Sequence, residues 1–161
     1  MATTNLRWKY TEFIDTTPLT VSTWAQINKG VGSLKTNYSP KIESEAGIAD
    51  VTASKTFTGI EPEIQFDAND SDDVAVAFIK TIVWGEKIGA AAKSNYLTCD
   101  LTVAPVTGSY PAKKRPIIIA YGSAGGDAQK PYQYGGVSLL SQGDAIFGTF
   151  NPTTKVFTAT V

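Results

Sequence analysis

A chain of 161 residues with 42% apolar and 18% charged side chains is sized for one domain, residues 1–161, with a core of its own. A net charge of −1 excludes bulk attraction to nucleic acid or to an anionic membrane. The chain has no histidine, which removes the commonest general base, the commonest metal ligand and every Ser-His or Cys-His pair, so it reads as a non-enzyme.

The opening MATTNLRWKY has no apolar h-region, so no secretory signal is expected, and no apolar run reaches membrane-span length. Leu6 to Ile14 alternates loosely and predicts a first strand. Asp15 to Pro18 predicts a turn, and Leu19 to Ile27 a second, interrupted strand. Gly30 and Gly32 loosen the chain before Lys35 to Gly47, a polar stretch carrying Pro40. That stretch reads as a long loop or an extended hairpin, with only Tyr38 and Ile42 to bury. Val51 to Phe57 and Glu63 to Phe66 predict strands around a turn at Gly59.

Asp72 to Trp84 is the one stretch with clear helical character, closing on Gly85 as a C′ residue. At about 100° per residue, Val74, Ala75, Phe78, Ile79 and Ile82 share a face, while Val76, Val83 and Trp84 lie on another side. A helix apolar all round is normally buried all round. One sheet covers one side, so Val76, Val83 and Trp84 are expected to be covered by another copy of the chain.

Beyond the helix, Tyr96 to Val103 alternates, with Leu97, Cys99, Leu101 and Val103 on its apolar face. Ala104 to Ala112 reads as a loop, Pro116 to Tyr121 as a buried strand, Gly122 to Lys130 as a loop and Tyr134 to Leu140 as a strand. Ala145 to Phe150 and Val156 to Val161 flank the hairpin turn Asn151 to Thr154, and the last strand is expected to be pinned in a sheet. Cys99 is the only cysteine, so no intrachain disulfide is possible and a reducing compartment of synthesis is expected.

The acidic run from Asp67 to Asp73 fails the EF-hand pattern, because positions six and twelve fall on Asp72 and Phe78. It reads instead as helix capping by Asn69 or Ser71, and no metal or cofactor is called for. Gly122 to Asp127 lacks the order of a phosphate loop. Lys113, Lys114 and Arg115 form the one basic cluster. It is read first as a solvated gatekeeper, then as a salt-bridge partner for Glu43 and Glu45 of a neighbour, and last as a phosphate contact. Trp8, Trp24, Tyr132 and Tyr134 could form a sugar-stacking platform, but on strands such residues are more often core or interface.

In layout the chain resembles the major tail tube proteins of long-tailed, siphovirus-like bacteriophages. The resemblance rests on Trp24-Ala-Gln-Ile-Asn-Lys-Gly-Val, the polar stretch with Asn37, Tyr38 and Glu43 to Glu45, and Phe57-Thr-Gly-Ile-Glu-Pro-Glu-Ile-Gln-Phe-Asp leading into the helix. It extends to Tyr134-Gly-Gly-Val-Ser, Gly143-Asp-Ala-Ile-Phe-Gly-Thr-Phe and the closing Val156-Phe-Thr-Ala-Thr-Val. It implies a β-sandwich or barrel with one flanking helix and a long polar loop, and a structural virion protein without catalytic residues or cofactor. Six copies would form a ring, and rings would stack into a tube passing double-stranded DNA to the host without specific binding. Implied partners are further copies of the chain and the tape measure, tail terminator and distal tail proteins. The implied location is the virion tail, after synthesis in the host bacterial cytoplasm, with no membrane partner. The residues expected at subunit contacts are Tyr38, Ile42, Glu43, Glu45, Val76, Val83, Trp84, Lys113, Lys114 and Arg115. A capsid decoration protein or a carbohydrate-binding sandwich is the alternative.

Overall fold

The computed structural model describes residues 6–46 and 52–160, so the predicted start of a strand at Val51 lies outside the described residues. A 3₁₀ turn, Arg7–Lys9, leads into β1 (Tyr10–Asp15), β2 (Trp24–Gln26), β3 (Val31–Glu45) and β4 (Ser54–Asn69). The helix α1 (Val74–Trp84) follows, then β5 (Lys93–Asp100), β6 (Tyr110–Ala120), β7 (Ser123–Gly125), β8 (Gln133–Ser141), β9 (Ile146–Asn151) and β10 (Val156–Ala159). The fold is mainly β with a single α-helix among the described residues, as expected. All pairings are antiparallel, and the main path runs β2-β1-β5-β6-β8-β4-β3. The ends of this path do not pair, so the sheet is not closed into a barrel.

The sheet forks on β6. Its first half, from Tyr110 to Lys114, pairs with β9, and its second half, from Ile117 to Ala120, pairs with β8. Pro116 stands at the change of partner. Its carbonyl accepts from the Gln142 N–H at 2.9 Å. N–H and C=O of one strand residue point to the same side, so the missing proline donor falls in the gap between β9 and β8 and costs no ladder bond.

Two apolar clusters result. The larger packs α1 against Ile64, Phe66, Ile117, Ile119, Val137 and Leu139. The smaller gathers Phe13, Trp24, Leu97, Cys99, Ala112 and Phe150. A buried carboxylate ties the β1–β2 turn to β5. Asp15 accepts from the N–H groups of Thr17 and Thr23 and from Asn95 Nδ2, each at 3.1 Å. Those three bonds offset the desolvation of its charge.

Several boundaries differ from the sequence reading. Leu6–Lys9 is not strand. Leu19 and Val21 sit exposed in a loop, leaving only Trp24–Gln26 as β2. Strand β4 runs straight through Gly59, because cross-strand pairing with β3 overrides the turn signal there. The stretch expected as a loop before Lys113 already contains Tyr110–Ala112 of β6, and the loop after Gly122 contains β7. The Asn151 turn is as expected: its Oδ1 accepts from the Thr153 and Thr154 N–H groups, and β10 pairs with β9. Gly148 permits that pairing, since a Cβ there would lie 2.1 Å from the Thr158 carbonyl oxygen.

Helix α1 is capped by Asp73, whose Oδ1 accepts from the Ala75 N–H at 2.9 Å; neither Asn69 nor Ser71 is the N-cap. The other Asp73 oxygen accepts from Lys29 N–H, tying the helix start to the β2–β3 link. Gly85 is the C-cap with φ −83°, not a left-handed C′; its role is spatial, because a Cβ would lie 2.8 Å from the Thr81 carbonyl oxygen.

Cys99 lies fully buried in the smaller cluster, and burial pushes its thiol up to about 11. At pH 8 roughly one thiol in a thousand is then ionised. In the native protein Cys99 should resist a thiol reagent at pH 8 and react promptly in 6 M guanidinium; equal rates in the two states would show that the strand is not packed as described. Because the folded state favours the protonated thiol, this group's stabilisation is complete below pH 9. It is lost as pH rises toward 11.

Candidate assembly interface

Strands β3 and β4 form a hairpin that outruns the rest of the sheet. Strand β8 pairs with β4 only from Glu63 onward, so residues 38–45 and 54–62 make a two-stranded arm with no third strand. The register sets Tyr38 opposite Pro62, Pro40 opposite Ile60 and Ile42 opposite Phe57. A bulge at Thr58 keeps Phe57 on the Ile60 side. Alternation therefore puts Tyr38, Pro40, Ile42, Phe57 and Ile60 on one face and Ser39, Lys41, Glu43 and Glu45 on the other.

The apolar face continues the core-facing side of the sheet, since Leu34, Ile64 and Phe66 on the same rows pack on the larger cluster. Only Pro62, at the root, is buried. Farther out Tyr38 is 52%, Ile42 55%, Phe57 63% and Ile60 46% exposed. A two-stranded ribbon is marginal in water, and this one presents a hydrophobic stripe with nothing on it. The long polar loop is thus an amphipathic arm, the hairpin alternative of the sequence reading. Phe57, Ile60 and Pro62 were missed because their partners are distant in sequence; the matched spacing of Tyr38, Pro40 and Ile42 was the available signal.

The helix does not offer the face expected of it. Val76 is fully buried and Val83 is 8% exposed, both within their own subunit. They cannot be covered by another chain, and this is a correction. The buried residues Ala75, Val76, Ile79, Ile82 and Val83 span an arc of about 120° centred on Ile79. Both valines fall within that one arc, and Ala25, Ile27 and Ala92 join the sheet residues in the cluster that covers it. Val74 is exposed at the helix start, and Trp84, 71% exposed at its end, remains available at the surface beside Tyr132.

The basic triplet is divided by the pleat. It lies inside β6, not ahead of it. Lys113 and Arg115 share the side of Thr98 and Tyr96, where with Tyr38 and Pro62 they line the crevice between arm and β6. Lys114 points to the opposite side, its ammonium 5.5 Å from the Phe157 ring. Arg115 Nη1 donates to Ser141 Oγ at 3.2 Å and to the Gly143 carbonyl at 3.0 Å. A single phosphate-binding patch does not form from these three residues.

Three of the four acids around the helix start are engaged separately. Asp67 accepts from the Gly136 N–H at 2.8 Å, Asp70 pairs with Lys80 at 2.8 Å, and Asp73 caps the helix. Asp70 holds the Lys80 ammonium above its ordinary range. The aromatic residues do not make a flat platform: Trp24 is buried against Phe150, Tyr134 is fully buried, and the Trp84, Tyr132 and Tyr134 rings are mutually tilted.

No family model and no curated protein matches the chain. Among solved structures it is similar to a chain described as the virion of a native gene transfer agent particle. That match has 9% identity and a TM-score of 0.60, covering 89% of this chain and 98% of the other. A second match, with 10% identity, the same TM-score of 0.60 and the same shares of 89% and 98%, is described as the tail of an empty gene transfer agent particle with C6 symmetry. At such identity the likeness establishes a shared fold.

Proposed function

We propose that this chain is a structural virion protein that self-assembles into the tube of a phage-type tail. Six copies would close a ring, and rings would stack into a conduit for double-stranded DNA. The observation that carries this reading is the arm. Its apolar face continues the core side of the sheet, lies uncovered in the subunit, and extends beyond the strand that flanks its root. Covering its five exposed residues would contribute on the order of 5–10 kcal/mol per arm before the costs of association. The shared fold with a chain of a C6-symmetric tail supports the same geometry.

The surface chemistry also suits a conduit. Net charge is −1, and the one basic triplet is spread over two sides of a strand. Phosphate contacts that retained DNA would slow its passage. In this reading Tyr38, Ile42, Glu43, Glu45, Trp84, Lys113, Lys114 and Arg115 are the candidates for contacts with other copies. Tape measure, tail terminator and distal tail proteins would meet the tube at its bore and ends, and the protein would be made in the host cytoplasm and reside in the virion. No cofactor or catalytic step enters.

Negative-stain microscopy and light scattering of the purified protein test the reading. Rings or tubes are expected as concentration rises. A species that stays strictly monomeric at high concentration across salt conditions overturns it, and a monomer that binds glycans would point to the carbohydrate-binding alternative.

A further inference from the structure

We propose that Glu43 and Glu45 on the arm of one copy form paired salt bridges with Lys113 and Arg115 of a second copy. The inference rests on the self-assembly reading and names the contact that sets its register. Among the described residues, ion pairs join Arg7 to Glu12, Lys41 to Glu61, Lys80 to Asp70 and Lys130 to Asp127. Glu43, Glu45, Lys113 and Arg115 take part in none of them. Two carboxylates on the arm and two cations at the crevice are therefore left over with opposite charge.

Their spacing matches. Glu43 and Glu45 are two apart on regular pairing with Thr56 and Ser54, so both project from the polar side of the arm. Lys113 and Arg115 are two apart on regular pairing with Thr98 and Tyr96, so both project from one side of β6. Each pair is separated by about 6–7 Å along its strand. Both edges of β6 are taken by β5 and by β8 and β9, so an arm strand laid over that face of β6, along its direction, can make both bridges at once. Arg115 is held by Ser141 and Gly143 through one nitrogen, so its other donors remain for a carboxylate in a fixed direction.

The occupant is a second copy because the acids cannot come from the same arm. The crevice side of the arm is its apolar face, with Tyr38 and Pro62 opposite Lys113 and Arg115, whereas Glu43 and Glu45 point away from it. A single exposed bridge is weak and salt-sensitive, but a pair repeated in every copy of a ring discriminates the correct register from a slipped one.

Charge reversal and covalent trapping test it together. Glu43→Lys with Glu45→Lys should raise the concentration at which assemblies first form by about tenfold. Lys113→Glu with Arg115→Glu should do the same, and combining all four should restore assembly near the wild-type concentration. Independently, Glu43→Cys with Lys113→Cys, oxidised at high concentration, should give intermolecular dimers and higher ladders on a non-reducing gel, while each single cysteine variant should not. If wild type assembles but the four-fold variant is not rescued and no ladder forms, the bridges are wrong while the tube reading stands. If the wild type does not assemble and the double-cysteine variant gives no ladder, both fall.

Discussion

Replacing residues 39–61 by an Asn-Gly turn should leave a stable, folded subunit that forms neither rings nor tubes. None of the described residues in that span is buried, so among them excision removes no core side chain. Tyr38 and Pro62 face each other across the hairpin and can be joined by a two-residue turn suited to antiparallel strands. The melting temperature should stay within a few degrees of wild type, and the far-ultraviolet spectrum should lose only the ribbon's strand signal. Assembly should be lost altogether, because the apolar stripe that would cover another copy is gone. Milder versions should grade accordingly: Ile42→Ser with Phe57→Ser should weaken assembly strongly without lowering the melting temperature. Normal tubes from the excised protein would show that the arm is no contact element.

The helix should respond in the opposite way. Ile79 is fully buried at the centre of the buried arc, and Ile79→Ala should cost about 2–5 kcal/mol in urea unfolding of the monomer. Val83→Asp should unfold the subunit outright, since it would place a carboxylate without partners among Ile79, Ile82 and the sheet. Trp84→Ala, one residue on, should change monomer stability little because most of that side chain lies outside the fold. A Val83→Asp monomer as stable as wild type would contradict the packing described, and would return the helix to the list of contact surfaces between copies.

These two expectations separate what holds the subunit together from what is left over for other chains. Fold stability resides in α1 against β4, β6 and β8, and in the smaller cluster around Phe150. The arm adds nothing to either. Hydrogen bonds extend it from the core, and its apolar side finds no cover there.

The sequence by itself determined the features that depend on neighbours along the chain. The single helix is found where its apolar density and acidic lead-in placed it, starting two residues later, after the N-cap Asp73. The buried strand around Ile117 to Ile119, the alternation that buries Leu97 and Cys99, and the Asn151 turn are all local patterns, and all stand in the structure. The absence of histidine removes Ser-His and Cys-His pairs whatever the fold. Only the tertiary structure decided the rest. The buried side of a helix apolar all round depends on which distant residues pack on it, and that placed Val76 and Val83 inside rather than between copies. Whether Lys35 to Gly47 is loop or strand depends on its pairing with β4, where Ile42 meets Phe57 beside a bulge. Lys113, Lys114 and Arg115 are adjacent in sequence, yet the pleat sends Lys114 to the other side of β6. The first two outcomes turn on long-range contacts about whose geometry local propensity carries no information, and the third follows once pairing with β5 and β9 makes that stretch a strand.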